Sequence, residues 1–158
     1  MAALSPRLAA IVDALPLTPH LRVLEIGCGP GAAARAVAAR LTTGHIVAID
    51  RSATAVEQAT AACAAEIAAG RMSVRRATAE EFALEPGEEP FDLVFAVRVG
   101  ALDGRHPAAG RLALARIAAV TRPTGRVFID GGDPLREIFP HNPSAGVHVG
   151  RAPGPVRE

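Results

Sequence analysis

Two rhythms of apolar residues alternate along this chain. Near-continuous apolar runs at 21–26, 46–49 and 91–99 read as strands buried on both faces. Between them lie longer segments with helical spacing. Leu4, Leu8, Ile11, Val12 and Leu15 mark a first amphipathic helix, with Ser5 and Pro6 as cap and first turn, and Pro16 and Pro19 ending it. An alanine-dense helix follows over 31–41, with Arg35 and Arg40 as its polar points. Ser52 caps a long alanine-rich helix reaching about Ala69, where Gly70 stops it. Residues 72–76 form a third strand, broken in pattern by Arg75 and Arg76. The acidic stretch 78–90 is a short helical turn and loop. Pro107 opens a helix to about Thr121, residues 122–125 make a turn, and 126–130 are a fifth strand. Residues 133–139 read as a short helix, and 147–149 as a short edge strand.

Strands alternating with helices predict an α/β fold: an open, doubly wound, mostly parallel, Rossmann-like sheet with right-handed crossovers. One domain is expected over 1–139, with 1–20 its N-terminal helix and linker and 140–158 an irregular Pro/Gly-rich tail. Strand-like residues are few after Asp130, so the sheet is expected to be truncated at its C-terminal strands. A fifth strand left open would favour homodimerisation through that edge.

Such a sheet binds ligands at the carboxyl ends of its strands. Four features fall there: the glycine turn from Gly27 to Gly31, Asp50, the segment 77–81, and residues 96–98. In Gly27-Cys28-Gly29-Pro30-Gly31 the glycines permit a tight turn and close approach of a ligand to the backbone. Helix-start amides beyond it favour an anionic group. Asp50 follows by about twenty residues, the spacing at which a carboxylate reaches ribose hydroxyls.

Composition narrows the field. All 17 basic residues are Arg, so lysine Schiff-base chemistry is excluded within this chain. A formal net charge of +1 gives no global field for nucleic acid or an anionic membrane. Arg75 and Arg76 lack the basic and aromatic neighbours of a nucleic-acid patch. No run approaches the roughly 20 apolar residues of a membrane span, and no signal-peptide pattern opens the chain; cytoplasm is the expectation. The two cysteines, Cys28 and Cys63, lack metal or disulfide spacing and are expected as reduced thiols. His141 and His148 have no companions at metal-site spacing, so no metal is expected.

The glycine turn also satisfies the G-x-G-x-x-A form of dinucleotide proteins, Gly27 to Ala32. Its context differs: Glu25 stands in the strand before it, and Pro30-Gly31 closes it. With these residues the chain resembles the class I S-adenosylmethionine-dependent methyltransferases. The resemblance continues through Asp50, Phe91-Asp92-Leu93-Val94 and Arg122-Pro123-Thr124-Gly125-Arg126, and covers roughly residues 20–131.

The resemblance implies S-adenosylmethionine as cofactor and methyl transfer to a small-molecule acceptor. It implies that Gly27, Cys28 and Gly29 lie along the methionine part, that Gly31 belongs to the same cofactor site, and that Glu25 accepts from the ammonium, directly or through water. Asp50 would hold the ribose, with Arg51 beside the adenine. Thr78, Ala79 and Glu80 would face the adenine, and Val97 the methionine group. Thr78 stands where the family often has an acidic residue.

Weaker candidates concern the acceptor. His106 and Asp103, in the loop after the fourth strand, could act as catalytic base, and Asp130 and Asp133 flank the fifth strand. Arg98 could bind an acidic substrate or pair with a loop carboxylate. Two other readings stay open: an NAD(P)-dependent oxidoreductase, and a non-catalytic S-adenosylmethionine-binding module.

Overall fold

A computed structural model describes residues 4–142. Helix α1 (Pro6–Ala14) is capped by Ser5, whose hydroxyl accepts from the Leu8 N–H. Strand β1 (Arg22–Ile26) leads through the glycine turn into α2 (Ala32–Ala38). Strand β2 (His45–Asp50) is followed by α3 (Ala53–Ala62), α4 (Ala64–Ala68) and β3 (Met72–Arg76). After a loop come β4 (Phe91–Ala96), a 3-10 turn (Gly100–Leu102), α5 (Pro107–Val120), β5 (Thr121–Asp130) and β6 (Leu135–Ile138).

The six strands form one sheet in the order β3-β2-β1-β4-β5-β6, parallel except for the antiparallel β6. The order reverses between β1 and β4. In-register pairing sets Ile26 opposite both Ile49 and Ala96, and Asp50 opposite Arg76. The carboxyl ends of the central strands therefore form one continuous rim.

Alternate residues of each strand point to opposite faces. Val23, Ile46, Ala48, Leu93 and Phe95 pack with α1, α2 and Cys63 on one face. Leu24, Val47, Ile49, Val94 and Ile129 pack with α5 and with Phe82 on the other. Both faces are dry, which explains the unbroken apolar runs. Asp92, the one half-buried polar residue of β4, accepts from the Arg22 N–H at 2.9 Å and fixes the start of β1.

Three elements differ from the sequence reading. The long helix after Ser52 breaks at Cys63, which adopts φ −105° and ψ 22° between α3 and α4. Residues 122–125 are not a free turn: β5 already begins at Thr121, and an irregularity in its pairing with β4 absorbs them. Residues 135–138 are a strand rather than helix, joined to β5 by the two-pronged Arg126–Glu137 ion pair at 2.9 Å. That strand covers β5, so among the described residues the sheet's edges are β3 and β6. Pro140 and His141 lie in a turn closing with Asn142 N–H on the Phe139 carbonyl. The edge strand expected at 147–149, and His148, fall outside the described residues. Among the described residues, no helix is long and apolar enough to cross a membrane.

Candidate functional site

The glycine turn is pinned before any ligand is considered. The N–H groups of Gly27 and Cys28 both donate to the Ile49 carbonyl, at 2.8 and 2.9 Å. The Gly29 N–H donates to Asp50 Oδ2 at 2.9 Å, and the Ser52 N–H to Oδ1 at 2.8 Å. Gly27 has φ +73°, and a Cβ there would sit 2.8 Å from Val99 Cγ2. Gly31, at φ +90°, starts α2 with its missing Cβ facing Cys63 Sγ at 3.0 Å. The break at Cys63 thus serves the turn: its Sγ lies 3.7 Å from the Gly31 carbonyl.

At the rim, where the strand order reverses, a cavity of about 460 Å³ opens. Ile26 and Gly27 form its floor, and Asp50 and Arg51 come from the end of β2. Residues 77–80, after β3, form one wall. Residues 98–101 with Arg105, His106 and Ala109 form the other. A smaller cavity of about 140 Å³ lies between the ends of β4 and β5, and shares Val99 with the first.

Of the residues singled out from sequence, Gly27, Asp50, Arg51, Thr78, Ala79, Glu80, Arg98 and His106 line the larger cavity. Glu25, Cys28, Gly29 and Gly31 do not. Glu25 is buried in β1, and its Oε1 has no hydrogen-bond partner among the described residues. Burial, followed by repulsion from Asp50, pushes its carboxyl up to about 8; the Ala34 N–H offsets this in part. Thr78 Oγ1 is likewise buried without a partner.

Val97 is not on the cavity. It packs with the core on the opposite face, and Val99 stands at the rim instead. Strand β4 ends at Ala96, and Arg98 takes the left-handed φ of 56°, which turns the chain so that Val99 covers Gly27. No residue type in the sequence marks that turn. Asp103 lines the smaller cavity and is engaged by Arg105, whose N–H donates to Oδ1 at 3.1 Å and Nε to Oδ2 at 2.6 Å. The Arg105 backbone N–H first, and its guanidinium next, hold the Asp103 carboxyl below the usual range. It is thereby kept ionised and occupied. His106 is the N-cap of α5, and its ring makes no capping bond.

Residues 23–125 match the family model described as a methyltransferase domain. The chain belongs to the class I S-adenosylmethionine-dependent methyltransferase family. The chain is 35% identical over 130 residues to the Nocamycin O-methyltransferase of Saccharothrix syringae, a match covering 80% of this chain and 44% of that protein. The chain thus spans less than half the length of this curated relative. Among solved structures, it resembles the phosphoethanolamine N-methyltransferase 2 of Haemonchus contortus in complex with S-adenosyl-L-methionine. There the TM-score is 0.61 and the identity 26%, with 78% of this chain and 27% of that chain covered. It also shares the fold of the Bacillus subtilis YcgJ protein (TM-score 0.63, 21% identity, 78% of this chain and 49% of that one).

The residues present fit the family's cofactor, S-adenosylmethionine. The Thr78 hydroxyl on the cavity wall is buried with no partner among the described residues, and an incoming donor or acceptor would satisfy it, since buried polar atoms otherwise rarely stay unpaired. The Asp50 carboxylate lines the same cavity.

Proposed function

We propose that this chain binds S-adenosylmethionine in the larger cavity and transfers its methyl group to a small-molecule acceptor. The observation that carries this reading is the joint placement of Gly27, Asp50 and Thr78 around one cavity, with Glu25 buried in β1. The small-molecule acceptors in the names of the similar methyltransferases support the second half.

In this reading Asp50 accepts from ribose hydroxyls while keeping its bonds to Gly29 and Ser52. An ionised carboxylate has about four lone-pair directions, so both duties are compatible. Glu25 accepts from the ammonium of the methionine part, directly or through water, beside the glycine turn formed by Gly27, Cys28, Gly29 and Gly31. Thr78, Ala79 and Glu80 face the adenine, with Arg51 beside it on the same side of the cavity. Val99 takes the role first given to Val97.

When bound, the cofactor supplies an electrophilic methyl on a sulfonium. The chain's own contribution is to align an acceptor and exclude water. Val99 and Ala101 give an apolar wall for that purpose. His106, on the cavity wall, takes a proton from an acceptor hydroxyl in this reading, whereas Asp103 is committed to Arg105.

Calorimetry with S-adenosylhomocysteine and with NAD tests the proposal. Binding of the homocysteine product and not of NAD supports it. The reverse result turns the glycine motif back to a dinucleotide reading. Cofactor binding with no labelled methyl passed to any acceptor leaves a binding module.

A further inference from the structure

Charged residues stand on both sides of the larger cavity. Asp50, Arg51 and Glu80 lie on the side of β2 and β3; Arg98, Arg105 and His106 lie on the side of β4. Arg105 is neutralised by Asp103. Arg98 is not: among the described residues, ion pairs take up Arg7, Arg22, Arg35, Arg40, Arg75, Arg105, Arg122 and Arg126, and Arg98 is absent from them, as is Arg51, which the cofactor reading sets beside the adenine.

The backbone of Arg98 is held in place. Its N–H donates to Asp130 Oδ1 at 3.1 Å, and Arg7 Nη2 donates to the other oxygen of Asp130 at 2.9 Å. Asp130 is thus spent on the Arg98 backbone and on α1, and forms no ion pair with the Arg98 guanidinium. A non-glycine residue in a left-handed conformation carries a strain cost, which the surrounding bonds must hold. Here they hold a cationic side chain on a cavity wall.

We propose that the methyl acceptor carries an oxyanion, a carboxylate or phosphate group, and that Arg98 binds it while Asp130 positions Arg98. This rests on the methyl-transfer reading of the same cavity. The planar fork of a guanidinium matches two oxygens of either group. The apolar body of such an acceptor fits the wall of Val99 and Ala101 between the two cavities.

The test uses the protein saturated with S-adenosylhomocysteine and follows the Arg98 Nε–H signal by nuclear magnetic resonance. Benzoate is compared with benzamide, and phenyl phosphate with phenol, so that the two anion types are read separately. The expected result is that at least one anion shifts the Arg98 signal and binds about tenfold or more tighter than its neutral partner, as loss of a charge-assisted pair implies. Arg98→Gln abolishes that preference, and Arg98→Lys restores part of it. Equal binding of anion and neutral partner, an unchanged preference in Arg98→Gln, or no binding of either anion overturns the proposal while leaving the cofactor site intact. Failure of S-adenosylhomocysteine itself to bind overturns both.

Discussion

Asp50 Oδ2 accepts the Gly29 N–H at 2.9 Å across 21 residues of sequence, and so joins the end of β2 to the turn after β1. The carboxylate is a brace as well as the proposed ribose acceptor. Asp50→Ala should therefore show two losses. Stability falls by about 1–3 kcal/mol from the orphaned Gly29 and Ser52 amides, and S-adenosylhomocysteine binds more weakly by roughly 2–4 kcal/mol. Chemical denaturation and calorimetry measure them separately. A less stable variant with unchanged affinity would leave Asp50 as a brace alone.

Glu25 gives stability a pH dependence of definite sign. Its native pKa is raised from 4.5 to about 8, by burial first and Asp50 second. Between those values the native state holds a proton that the unfolded chain has released. Its contribution is thus full below about 4.5 and lost as pH rises through about 8. Glu25→Gln should flatten this decline in urea unfolding between pH 5 and 8. A wild-type slope equal to that of the variant would show that Glu25 does not titrate there.

Glu88 acts in the opposite sense. It accepts from Arg75 Nη1 at 2.8 Å and Arg22 Nη2 at 2.9 Å, and so ties the loop before β4 to both β3 and β1. The Arg75 side chain is the main cause holding its pKa at about 2. This contribution is present above 4.5 and lost as pH falls through about 2. Glu88→Gln should cost about 2–3 kcal/mol at neutral pH and little in strong acid. An equal cost at both pH values would contradict an ionic role.

Gly27→Ala should damage both fold and site. The new Cβ meets Val99 Cγ2 at 2.8 Å in a backbone conformation that side chains resist. A loss of about 1–3 kcal/mol is expected, with weaker S-adenosylhomocysteine binding. Adding Val99→Ala should recover part of the stability, because it removes the clash but not the φ strain. No recovery would mean that Val99 does not cover Gly27 in solution.

Both thiols should be inert in the native protein. Burial, then Glu25 and Asp50, push Cys28 up to about 12, and burial raises Cys63. Iodoacetamide at pH 7.5 should label neither until denaturant is added. Rapid native labelling of Cys28 would contradict its placement.

The parts of this fold that the sequence made legible are those set by burial. Strands β1, β2 and β4 are apolar on both faces, and so stand out as unbroken runs. Asp50 and the glycines were visible because a turn against a strand end restricts residue type. The rest was hidden for physical reasons. An alanine run has no apolar periodicity, so nothing marked the break at Cys63. Strand β6 is four residues long, and what defines it is its antiparallel pairing with β5 and the Arg126–Glu137 pair, which its short residue pattern does not show. Val97 and Val99 are chemically identical, and the left-handed Arg98 between them decides which one reaches the rim.

A crystal structure with S-adenosylhomocysteine tests the central claim most directly. The account predicts density in the cavity walled by Gly27, Asp50, Thr78 and Val99, with the ribose at Asp50 and the amino group on the Glu25 side. Density bound elsewhere on the molecule, or a ribose remote from Asp50, would contradict it.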